Sequence, residues 1–160
     1  MRKGLPQLFL FGNKASMKMN KDKVLDLLNS LLEREYSGVV RYSHYSLMVF
    51  GYNRIPIVGW FREQAKESLT HAEGIGEMIT ALDGHPSLKI SKLLETHRHS
   101  IQEILQESLE HEREQLKGLH DLLKEVEGKN VWLEEFARNM IVDEENHCAE
   151  VEKMLKSPGK

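Results

Sequence analysis

The stretch Met140–Met154, MIVDEENHCAEVEKM, decides how the rest of the chain reads. Leu133, Ala137, Met140, Val151 and Met154 recur at helical spacing, which predicts a helix with one apolar stripe. Two positions of that stripe are not apolar: Glu144 and His147, a Glu-x-x-His pair. Residues three apart lie one turn apart on one helix face, so a carboxylate and an imidazole point together into a hydrophobic seam. Burying a charge there is costly unless something pairs with it. A metal ion resolves the cost, and Glu-x-x-His on bundle helices is a recurrent ligand pair for two-iron or two-manganese sites. Alone, the pair is a weak signal and reads first as a solvated face or a satisfied core histidine. The metal reading gains weight if other helices bring acids to the same depth.

The chain of 160 residues predicts one domain, long enough to bury a core. A net charge of −3 argues against a nucleic-acid platform. Its one cysteine, Cys148, allows no intrachain disulfide, which fits a reducing, cytoplasmic setting. No apolar run approaches membrane-spanning length, so no membrane partner is expected. The opening MRKGLPQLFLFGNKAS carries two basic residues and a short apolar stretch broken by Pro6. It is a poor signal peptide, since Gly-Asn-Lys follows where a cleavage site would stand. Residues 1–19 are expected to be a partly disordered extension, with Met17 or Met19 as the functional start, and residues 20–156 the folded domain.

Working back from the last helix, three more emerge. Asn20 can cap the first, whose inner stripe is Leu28, Leu31, Glu35, Gly38, Tyr42, Tyr45 and Val49. Gly51, Asn53 and Pro56 mark a turn, and the second helix runs from about Ile57 to Leu82 with the stripe Ser68, His71, Ile75, Met78 and Leu82. Asp83-Gly84-His85-Pro86 ends it. Ser100-Ile-Gln-Glu103 is a capping-box signature for a third helix carrying Leu105, Leu109, Glu112, Leu116, Leu119, Leu123 and Val126. Gly128 breaks it, and Asn130 can cap the fourth, which runs to about Leu155. The first and last connections are short, predicting antiparallel hairpins. At roughly 3.3 Å per residue, the connection of about 14 residues between them can traverse a bundle of about 40 Å. The expected architecture is an all-α four-helix bundle with one long crossover between helices two and three.

Each stripe has a Glu on or beside it: Glu35, Glu67, Glu112 and Glu144 in chain order. His71 follows the second and His147 the fourth. Glu35 to Glu67 is 32 residues, and Glu112 to Glu144 is again 32, so each hairpin supplies Glu, then Glu with His. Four carboxylates balance two divalent cations, and carboxylate with imidazole suits iron or manganese.

On these motifs the chain resembles the bacterioferritin branch of the ferritin-like di-iron carboxylate superfamily, over about residues 20 to 155. LNSLLEREYSGVVRYSHYSLM is similar to the family's first helix, THAEGIGEMITALDGHP to the end of its second, and VDEENH to its fourth-helix ligand motif. The resemblance implies two iron ions per subunit, with manganese an alternative. Glu35, Glu112, His71 and His147 would be terminal ligands, Glu67 and Glu144 bridging ones, and Tyr42 a neighbouring phenol that takes part in the redox chemistry or packs beside it.

The sequence departs from that family in five places. The family's bridging Glu on helix two stands three residues before the His; here that residue is Ser68, and Glu67 stands four before, with Glu63 a further turn away. On the third helix Glu112 requires a one-residue shift; without it His111 would face the metals, and Glu110 is a rival. Ser68 and Leu69 occupy the neighbourhood of the family's haem-ligating Met, so no haem is expected. Arg62 and Lys66 stand where the family's inner-surface iron site has His and Asp, and the 13 residues after His147 leave no room for a full fifth helix. Both put a 24-subunit storage cage in doubt.

The implied activity is a ferroxidase: Fe(II) bound and oxidised with O₂ or peroxide, serving iron storage or detoxification, in a homo-oligomer of at least two subunits. The alternative is a rubrerythrin-like peroxidase or oxygenase, which would need a separate electron donor because the chain has no Cys-x-x-Cys segment. His44, His85, His97, His99 and His120 read as surface or loop residues, and His97 with His99 as at most a stray metal pair.

Overall fold

Three of the four helices start on the caps expected for them. In a computed structural model describing residues 18–93 and 95–157, the elements are α1 (Lys21–Met48), α2 (Arg54–Ala81), α3 (Ile101–Val126) and α4 (Val131–Met154). Asn20 Oδ1 accepts from the Lys23 N–H at 3.1 Å, and Asn130 Oδ1 from the Leu133 N–H at 3.1 Å. Ser100 closes its capping box, accepting from the Glu103 N–H at 3.2 Å and donating to the Glu103 carboxylate at 2.7 Å. Such caps satisfy amides the helix itself leaves open. The exception is α2, which begins at Arg54, before the expected Ile57, on an Asn53 whose side chain makes no cap bond. Pro56 is accommodated in its first turn, where a missing N–H costs nothing.

The α1–α2 and α3–α4 pairs form hairpins, and α1 also packs on α3. Asp83 (φ 55°) turns the chain out of α2, and the Gly84 N–H closes on Ile79 O at 2.9 Å. Gly84 lies against α1, where an added Cβ would collide with the Leu25 side chain. The crossover is longer than the sequence reading allowed, since everything between 82 and 100 lies outside the helices. It runs along α1, tied by Asn29, which donates to His85 O at 3.3 Å and accepts from the Ser87 N–H at 2.8 Å. Glu33 takes the Ser87 hydroxyl at 2.6 Å, and its carbonyl the Ser91 N–H at 2.9 Å. No described helix is long and apolar enough to cross a membrane. Residues 1–17, most of the expected extension, lie outside the described residues.

Two apolar clusters fill the bundle. One is mainly aliphatic and includes Leu28, Leu31, Ile75, Ile79, Leu119, Leu122 and Leu133; the other holds Tyr42, Tyr45, Phe61, Ile104, Cys148 and Val151. The stripes of α1 and α4 are buried largely as expected. On α3 the buried face is rotated: Gln115 and Leu122 are buried, while Leu116 and Leu123 are only half-buried. On α2, Ile79 is buried and Met78 half-buried. Between the two clusters lies a polar layer.

Candidate metal centre

That layer consists of buried acids. Glu35, Glu112 and Glu144 are all buried, at 3%, 5% and 1% exposure, and His71 is buried beside them. Glu144 divides its two oxygens between two imidazoles. Its Oε1 lies 3.2 Å from Nδ1 of His71, and its Oε2 lies 3.4 Å from Nδ1 of His147. Nδ1 of His71 also stands 3.4 Å from Glu35 Oε1. Two ligand groups result, Glu35–His71–Glu144 and Glu112–Glu144–His147, each with its donor atoms within 4.8 Å of one another, and Glu144 belongs to both. The two rings lie nearly parallel, centroids 6.3 Å apart.

Glu67 stands apart from these groups. It is half-exposed, and its carboxylate lies 3.1 Å from Nε2 of His147, the nitrogen facing away from Glu144. Asp143 takes the equivalent place at His71, 4.0 Å from its Nε2. Each histidine thus turns Nδ1 towards the buried acids and Nε2 towards a more exposed one, an arrangement that orients a metal-ligating ring. Ser68 faces inward instead of Glu67: a Cβ added to Gly38 would meet Ser68 Oγ at 2.7 Å and His111 Nε2 at 3.2 Å. Here α1 lets α2 and α3 approach closely only because Gly38 has no side chain.

On α3 both Glu112 and His111 are buried, whereas Glu110 is exposed. Glu112 faces Glu144, while His111 sits edge-on to Tyr42, centroids 6.2 Å apart. The Tyr42 hydroxyl donates to Glu112, and its ring stacks on Phe61 at 6.2 Å. Gln115, which the sequence reading did not single out, donates to Glu35 Oε1 at 2.8 Å. Its signal was present, since it lies one turn after Glu112 on the same face.

The electrostatics are those of buried acids crowded around two imidazoles. Burial pushes Glu35 up to about 7 against the opposing pull of His71. Burial, then the charge of Glu144, raises Glu112 well above the usual carboxylate range. Burial would raise Glu144 too, but close contacts with His147, His71 and Glu112 outweigh it and hold the group well below that range. Burial alone would lower His71; Glu144 and Glu35 overcome it and raise the imidazole to about 10. One buried oxygen, Glu144 Oε2, makes no hydrogen bond. An unsatisfied buried carboxylate oxygen costs free energy that a cation would recover. Three buried carboxylates with two inward-facing imidazoles are oxygen and nitrogen donors of the kind iron and manganese take. These residues fit a pair of divalent cations.

Solved structures share this architecture. A ferritin-like, diiron-carboxylate protein from Bacillus anthracis str. Ames superposes with a TM-score of 0.82 at 25% identity, over 88% of this chain and 100% of that one. A dodecameric thioferritin, the bacterioferritin-related protein of Bacteroides fragilis, gives 0.78 at 23% identity, covering 86% of this chain and 87% of its own. Rhodobacter capsulatus bacterioferritin, solved with a metal-free dinuclear site and heme iron, gives 0.78 at 25%, covering 87% and 86%. No curated protein matches the sequence significantly. The sequence model of the Ferritin-like domain matches residues 25–158, most of the chain. The protein therefore belongs to the ferritin-like family.

Proposed function

We propose that the chain binds Fe(II) at this centre and oxidises it with O₂ or peroxide. The supporting observation is Glu144, one buried carboxylate set between two inward-facing histidines with an oxygen left unpaired. Glu35 with His71 holds one cation, Glu112 with His147 the other, and Glu144 spans both. Fe(II) is the substrate: each ion gives up one electron, and the oxidant takes electrons and protons to end as peroxide or water. Manganese would be accepted by the same donors.

The side chains bind, orient and shield. Gln115 holds Glu35 by Oε1, the oxygen that also faces His71, and Tyr42 holds Glu112, so both terminal carboxylates are fixed in orientation. Phe61 and Tyr45 close the Tyr42 side of the centre against water. Glu67 orients His147 from outside; bridging the cations, the role the resemblance implies for it, requires its carboxylate to swing off that ring. Haem has no part in this reading, because Ser68 and Leu69 stand where the resembled family has its Met ligand. Assembly into a homo-oligomer would turn the oxidation into iron storage or detoxification in a reducing compartment. The exposed apolar residues Leu47, Phe50, Tyr52 and Ile55 around the α1–α2 turn offer a surface for it.

Anaerobic Fe(II) titration followed by air tests the reading. It expects saturation at about two irons per subunit, oxidised together on aeration. Absence of saturable binding, or the same behaviour in Glu144→Ala, would overturn it.

A further inference from the structure

A second group of ligand atoms lies where the crossover passes over α1, outside the bundle core. His44 comes from α1, and Glu95 and His99 from the crossover. Nε2 of His44 is 3.1 Å from Glu95 Oε2, and Nε2 of His99 is 3.4 Å from Glu95 Oε1. One donor atom from each residue lies within 4.8 Å of the other two. The two rings meet edge to face, centroids 5.9 Å apart.

Both Nε2 atoms are buried, and neither has a hydrogen-bond partner, since the contacts to Glu95 lack hydrogen-bond geometry. Two orphaned ring nitrogens aimed at one carboxylate are costly for a structural loop contact. They are the right donors for a cation. The backbone is shaped to the same end. His97 takes a left-handed conformation (φ 55°) and donates its N–H to Glu95 at 2.6 Å, which brings Glu95 and His99 to one side. Thr96 is tied to Glu107 on α3. The cluster borders a cavity of about 220 Å³ walled by Val40, Tyr45 and Leu93. Arg41, the nearby cation, has its charge met by Glu107 at 3.8 Å and donates to the Tyr45 hydroxyl at 2.7 Å.

We propose that His44, Glu95 and His99 form an outer site for a single divalent transition ion, which fastens the crossover to α1. Two imidazoles and one carboxylate suit Zn(II) or Fe(II) and leave open positions for water. The donor balance separates this site from the inner centre: imidazole dominates here and carboxylate there. Zinc is therefore the better probe outside and manganese inside. Because the ion binds only the folded arrangement, it also stabilises that arrangement.

The test is zinc content after titration of the metal-free full chain with Zn(II) and desalting. A Glu144→Ala background, which removes the shared ligand of the inner centre, should keep one zinc per subunit. Adding His44→Ala and His99→Ala should remove it, together with the zinc-induced rise in melting temperature, while the helical circular dichroism stays. Equal zinc content with and without the two histidines would overturn the site. Should the variants fail to fold, crystals of the unmodified chain soaked in zinc decide: an anomalous peak among His44, Glu95 and His99 supports the site. An occupied inner centre without that peak overturns it.

Discussion

The two ends of the bundle are built differently. One end is mainly aliphatic, with Leu28, Leu31, Ile75, Leu119, Leu122 and Leu133 fully buried. The other is aromatic, with Tyr42, Tyr45 and Phe61 packed around one another, and it abuts the acids through the Tyr42 hydroxyl. Stability and chemistry are thereby divided. The aliphatic end buries apolar area and demands nothing in return. The polar layer with its aromatic lid spends part of that stability on three buried carboxylates.

The sharpest way to break this division is Glu144→Ala. It should lower inner metal affinity at least 100-fold in an iron or manganese titration; the metal-free fold should lose stability at neutral pH in thermal melts, because His71 and His147 lose the carboxylate that pairs with them. Inner metal affinity unchanged in this variant would contradict the division. Ile75→Ala, at the aliphatic end, should spare the metal centre. Denaturant unfolding is expected to show a loss of about 2–5 kcal/mol, with iron stoichiometry unchanged below the melting range. Glu67→Gln sharpens the role of the outer acid: loss of an orienting partner should weaken metal binding by about 10–100-fold, and a loss as large as that of Glu144→Ala would show that Glu67 bridges. The smallest effect is expected from Asn130→Ala, which removes a cap remote from the centre. It should cost about 1 kcal/mol in denaturant melts and leave Fe(II) oxidation rates unchanged.

Much of this was legible in one dimension. Helical spacing found all four helices, since an amphipathic stripe repeats at the helix period whatever its partners are. It also found Glu35, Glu112 and Glu144, because an acid within an apolar stripe is anomalous before any contact is known. Less legible were residues whose role depends on a neighbour. Gln115 reads as an ordinary polar residue until Glu35 stands opposite it. Asp143 reads as surface until the His71 ring turns its outer nitrogen that way. His44 and His99 are 55 residues apart and read as surface, and only the path of the crossover brings them to one carboxylate.

Sequence alone determined the helices, three of their caps, the hairpin pairing and the family, because each rests on spacing along one chain. Tertiary structure decided which oxygen of Glu144 meets which imidazole, that Ser68 turns inward while Glu67 stands outside His147, and where the crossover lies on α1. Those depend on how far each helix is rotated about its own axis. Close packing across the bundle sets that rotation, at Gly38 above all, and the pattern along a single helix leaves it open.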